Sequence, residues 1–98
     1  MLITEEFAAH AGEVCRMAVD TFGWEMQSLI AVEEMSELQK EIIKRHRGLQ
    51  NDMRIAEEIA DVMVTLLQLV DMFDLRERVD SALEFKIERL EKKIGGRA

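Results

Sequence analysis

Apolar residues recur at three- and four-residue spacing in four successive stretches of this chain, and no proline interrupts any of them. One face of a 3.6-residue helix collects positions i, i+3, i+4 and i+7, so the pattern predicts helices throughout. Phe7, Ala11, Val14, Cys15, Ala18 and Phe22 predict a first helix from an N-cap at Thr4 to about Thr21. Gly12 inside it costs about 1 kcal/mol relative to alanine. A second helix should run from about Trp24 to Arg47 and stop at Gly48, with Lys44, Arg45, His46 and Arg47 at the negative end of its dipole. Asn51 or Asp52 can cap a third, whose stripe is Ile55, Ile59, Val62, Leu66, Leu69 and Phe73. The fourth, from about Leu75 to Ile94, shows Val79, Leu83, Ile87, Leu90 and Ile94 on one side. It should end at Gly95, leaving residues 95–98 as a loose tail.

With 98 residues the chain is too short for two cores, and at 48% hydrophobic it is too apolar to stay disordered, so residues 1–98 are expected to form one all-α domain. Cys15 is the only cysteine, so no internal disulfide staples the fold. The second half of the third helix is apolar on several sides: Met63, Val64 and Leu67 point away from its stripe and need cover of their own. The expected architecture is therefore a four-helix-bundle-like subunit that assembles through Val62 to Val70 into a homodimer or homotetramer. That stretch is no membrane span, since Thr65 and Gln68 interrupt it and Asp71, Asp74 and Arg76 follow, short of the roughly 20 apolar residues required. Thirteen Lys and Arg against 20 Asp and Glu give a net charge of -7, which disfavours nucleic acid polymer and anionic membranes. An anionic small molecule would need a bridging cation. The acidic opening Met1 to Glu6 lacks the character of a secretory signal and predicts a cytoplasmic protein.

The acids do not all lie opposite the apolar stripes. Glu34 and Glu37 fall four and seven residues after Ile30, inside the line that Ile30 and Leu38 define. On the third helix Glu58 lies about 60° from the mean of the stripe, at 100° per residue, and Asp61 sits one turn on. Each pair is i,i+3, and antiparallel packing can bring all four carboxylates together. Unpaired, such a cluster is strongly unfavourable. Carboxylates without His or Cys suit a hard cation, Mg²⁺ or Mn²⁺, which keeps water positions open for substrate phosphates. A coincidence of acids on Glu-rich helices is the competing explanation.

The segment Glu33-Glu34-Met35-Ser36-Glu37, followed after 20 residues by Glu58-Ile59-Ala60-Asp61, resembles the EExxE…ExxD signature of the MazG-like, all-α nucleoside triphosphate pyrophosphohydrolases. Trp24-Glu25-Met26-Gln27, Glu57 to Val62, and Lys86-Ile87-Glu88-Arg89-Leu90 also look like the short phage and bacterial members, so the likeness covers nearly all of the chain after Phe22. It implies Mg²⁺-dependent hydrolysis of a canonical or noncanonical (deoxy)nucleoside triphosphate to monophosphate and pyrophosphate. By position, Glu34, Glu37, Glu58 and Asp61 would be the metal ligands. Either Glu33 or a doubly employed Glu37 would act as the base. The resemblance favours Lys86 and Arg89 as a phosphate clamp; a solvated face paired with Glu84, Glu88 or Glu91 is the alternative. Trp24 and Gln27 could stack on and hydrogen-bond a base, or Trp24 could close the core at the first interhelical corner. Thr65 stands where members often carry Asn, which leaves base and sugar selectivity open. A noncatalytic helical oligomerisation or nucleotide-sensing module is the rival function.

Overall fold

A computed structural model describes residues 4–96 as four helices, α1 (Glu5–Phe22), α2 (Trp24–His46), α3 (Asp52–Met72) and α4 (Arg76–Gly95), with no strand among them. The boundaries follow from local chemistry. Thr4 caps α1, its hydroxyl accepting the Phe7 N–H at 3.1 Å. Gly23 (φ 88, ψ 150) ends α1 and starts α2 in a conformation essentially restricted to glycine. Gly48 (φ 95) takes the left-handed position after α2, where the Leu49 N–H returns to the Lys44 carbonyl at 3.1 Å and satisfies an orphan acceptor. The same device closes α3 without a glycine: Asp74 holds φ 51 while the Leu75 N–H reaches the Val70 carbonyl at 2.9 Å. Aspartate tolerates that region better than most residues, so the third break carries no glycine signal. At the far end α4 runs through Gly95, and the Gly96 N–H still bonds the Lys92 carbonyl at 2.9 Å. Residues 95 and 96 of the expected loose tail are therefore part of the helix end, and positions 97 and 98 lie outside the described residues.

α2 and α3 pack along their length as an antiparallel hairpin, α1 lies against both, and α4 meets only α3, where the chain turns. Because α4 departs from the other three helices, the Cα radius of gyration is 15.9 Å, against about 13 Å for a compact chain of this size. The surface is large for the same reason: 8306 Å² is exposed, where about 5,700 Å² is usual for a folded monomer of this mass.

The interior reverses the usual distribution of residue types. Cys15 and Ala31 are the only fully buried apolar residues described, while Gln27, Glu41, Asn51, Glu58, Thr65 and Gln68 are buried. Phe7, Val14 and Phe22 of the α1 stripe are largely exposed, as are Ile59, Leu66 and Phe73 of the α3 stripe. The expectation that these residues fill the core of the subunit is corrected in that respect. The stripes are split within a single chain: Cys15 is buried and Ala11, Ala18, Ile55, Val62 and Leu69 are half-buried, while the remaining members point outward. The face α3 turns to α2 is instead the polar line of Glu58, Thr65 and Gln68.

Candidate metal centre in the α2–α3 seam

The polar residues of the seam meet in antiparallel order along the hairpin. At one end the Gln27 Nε2 donates to Gln68 Oε1 at 2.7 Å. At the other, the Asn51 Nδ2 donates to both the backbone carbonyl and Oε1 of Glu41, each at 2.9 Å. Lys44 Nζ adds a 3.0 Å ion pair to the other Glu41 oxygen. These donors hold the Glu41 carboxyl below the ordinary glutamate range, the Asn51 hydrogen bond contributing most and Lys44 next. Asn51 is the N-cap residue of α3, yet its side chain makes no capping bond and its buried Oδ1 has no partner. Its amide locks the hairpin instead of serving as the expected helix cap.

Between those ends, carboxylate oxygens of Glu34, Glu58 and Asp61 lie within 4.8 Å of one another. Glu34 comes from α2, and Glu58 and Asp61 project one turn apart from α3. Glu58 is buried, Glu34 half-buried and Asp61 open to solvent, so the cluster grades from seam to surface. Burial raises the Glu34 carboxyl above its ordinary range; the charge of Asp61 and a hydrogen bond shared with it raise it further, followed by the charges of Glu58 and Glu37. A carboxyl raised by its acidic neighbours marks a place short of positive charge, and an all-oxygen donor set fits a hard cation such as Mg²⁺ or Mn²⁺.

Glu37 stands outside this triad. Its carboxylate is half exposed and pairs with Lys40 at 3.2 Å, although its charge is felt at Glu34. Glu33 is exposed, and its backbone carbonyl accepts the Ser36 hydroxyl at 2.9 Å. The Gln27 amide N–H is committed to Gln68, so its position is that of a structural tie. Trp24 meets Phe73 edge-on, ring centroids 6.3 Å apart at 62°, which is the corner contact weighed against base stacking. Lys86 and Arg89 lie exposed on α4, and because α4 packs on neither α1 nor α2, the fold of one chain does not bring them to the acids.

Spacing marks Glu58 as inward-facing, and the structure adds Thr65 and Gln68, polar positions that continue its line. It also adds Arg54, whose Nη2 lies 3.1 Å from Glu58 Oε1 and Nη1 3.2 Å from Glu57 Oε2. An i,i+4 Arg–Glu pair was the available signal. No family model, curated protein or solved structure matches this chain.

Proposed function

We propose that this chain is a MazG-like, Mg²⁺-dependent nucleoside triphosphate pyrophosphohydrolase that works in the cytoplasm as a homodimer or homotetramer. The observation that carries the reading is the triad: oxygens of Glu34, Glu58 and Asp61 from two helices gathered within 4.8 Å, with Glu34 pushed toward its protonated form. Those three residues would hold the ion, with Mn²⁺ as an alternative occupant. When bound, Mg²⁺ supplies charge neutralisation of phosphate oxygens and lowers the pKa of a coordinated water.

The remaining work falls to the chain's own groups. Glu37, one turn beyond Glu34 and half exposed, is the better placed of the two candidate bases to take a proton at its carboxylate as water adds to the α-phosphorus and pyrophosphate leaves. Lys40 orients that carboxylate through its 3.2 Å ion pair. Glu33 then serves at most as a support on the neighbouring face. Lys86 and Arg89 can clamp the phosphates only if assembly carries α4 against the acids of another subunit. The exposed apolar row Leu83, Ile87, Leu90 and Ile94 gives α4 a reason to pack there.

The test is to incubate the purified protein with each canonical and several modified nucleoside triphosphates, with Mg²⁺ or with EDTA, and to separate the products. Metal-dependent release of monophosphate and pyrophosphate is expected. Nucleotide-induced stabilisation without turnover would replace this reading with the nucleotide-sensing module, and the absence of both turnover and any Mg²⁺-induced thermal shift would leave a plain interaction bundle.

A further inference from the structure

Among the described residues, Arg54 is the only cation paired with any member of the triad, and it is placed for more than a surface ion pair. It lies in the first turn of α3, four residues before Glu58, and spans two carboxylates: Nη1 to Glu57 Oε2 at 3.2 Å and Nη2 to Glu58 Oε1 at 3.1 Å. The two ends differ in environment. The Glu58 side chain is 7% exposed and fixed in the seam, whereas the Arg54 side chain is 55% exposed. One edge of the guanidinium is thus anchored at the buried acid while the group as a whole stands in solvent beside the cluster. A guanidinium carries further N–H donors in the same plane, and their fork matches phosphate oxygens.

We propose that Arg54 is a phosphate-binding residue of the proposed site, held beside the acids by Glu57 and Glu58 so that a polyphosphate entering the metal centre meets a preset cationic fork. The proposal rests on the metal reading of the triad and adds a consequence that neither a tie within the helix nor a simple surface pair would have. Arg54 repels a divalent cation and attracts a polyphosphate. Its removal should therefore move the two affinities in opposite directions.

The experiment compares wild type, Arg54→Gln, Arg54→Lys and Glu58→Gln by calorimetry, first with Mn²⁺ alone and then with inorganic tripolyphosphate at saturating Mn²⁺; circular dichroism checks that each variant keeps its helices. For Arg54→Gln, Mn²⁺ should bind about threefold to tenfold more tightly, since one positive charge near the ion is gone. Tripolyphosphate should bind at least about tenfold more weakly. Arg54→Lys should return Mn²⁺ affinity to the wild-type value and recover tripolyphosphate binding only in part, because the charge is restored without the fork. Unchanged affinities in Arg54→Gln, or a loss of both together, would overturn the role of Arg54 while the loss of Mn²⁺ in Glu58→Gln kept the metal centre standing. A wild-type protein that binds no Mn²⁺ overturns both.

Discussion

The residue that reports most directly on the seam is Glu34, because burial and three neighbouring acids all act on its carboxyl in the same direction. Its folded value is raised above the ordinary glutamate value that it has in the unfolded chain. The native state therefore keeps a proton that the unfolded state has released, and Glu34's contribution to stability is full below the ordinary carboxylate range and lost as pH rises through its own folded value. Glu41 behaves oppositely: the Asn51 hydrogen bond and Lys44 lower its carboxyl, so its contribution is present above the ordinary range and lost as pH falls through the lowered value. Glu34→Gln should consequently flatten the decline in metal-free melting temperature on the rising-pH side, and Glu41→Gln the decline on the acid side, in melts recorded from pH 3 to 8. A Glu34→Gln profile superimposable on wild type would show that the acids do not sense one another. The same argument gives the effect on turnover. Glu34→Gln and Asp61→Asn should abolish pyrophosphate release with no loss of metal-free stability, since each removes a charge from a repulsive cluster; near wild-type activity in either variant would sink the assignment. Divalent binding requires the ionised carboxyl, so the Mn²⁺-induced thermal shift should grow as pH rises through the Glu34 titration.

At the scale of the elements, two short links set how the helices meet, and each depends on one residue. Gly23 holds φ 88 and ψ 150 with nothing within 4 Å of where a Cβ would stand, so Gly23→Ala is opposed by backbone conformation alone. It should cost about 1–3 kcal/mol in urea denaturation, and a neutral result would mean that α1 and α2 can re-angle freely. Asn51 ties α3 back to α2 through Glu41, and Asn51→Ala removes both donors to a buried carboxylate and carbonyl. A loss of about 1–3 kcal/mol is expected, with Asn51→Asp costing at least as much because it opposes two carboxylates. The ends of α1 and the end of α2 were legible in the sequence because caps and glycines act locally: Thr4, Gly23 and Gly48 do what their chemistry predicts, whereas Asn51 makes no capping bond, Asp74 closes α3 without a glycine and α4 runs through Gly95. The sharing of one helix face by Glu58 and Asp61, which meet Glu34 across the seam, was legible too, since i,i+3 spacing fixes which side chains share a face. The choice of which face turns inward was not. Helical periodicity gives the angle between the apolar stripe and the line of Glu58, Thr65 and Gln68, but not which of them meets α2 and which stays open. Glu37 shows the same limit: it lies one turn from Glu34, yet it pairs with Lys40 and stands outside the triad.

The whole molecule is where these facts acquire a common cause. One chain exposes about 2,600 Å² more surface than a compact monomer of its mass, and much of the exposed face is leucine, isoleucine, phenylalanine and valine from α1, α3 and α4. Monomeric proteins rarely leave contiguous apolar patches beyond a few hundred Å² uncovered, whereas obligate homodimers bury about 2,000–5,000 Å² in total. In the proposed assembly a polar seam inside each subunit and an apolar face outside it would be parts of one arrangement, in which the hydrophobic core forms between subunits and each hairpin interior is left for charged chemistry. If so, folding and assembly are one equilibrium, and the melting temperature should rise with protein concentration. The sharpest test lies on α4, which packs only on α3 within its own chain. Leu83→Lys combined with Ile87→Lys places two charges in its exposed apolar row, 56% and 63% accessible in the single chain. In a monomer those changes would be nearly neutral, within about 0.5 kcal/mol. In the proposed assembly they should convert a dimer or tetramer to monomer in sedimentation velocity, lower the melting temperature by more than about 10 °C through loss of the linked association energy, and abolish turnover along with the contact that brings Lys86 and Arg89 to the acids. A wild-type protein that sediments as a monomer at micromolar concentration, with a melting temperature independent of concentration, would overturn the assembly and leave those two cations without a route to the substrate.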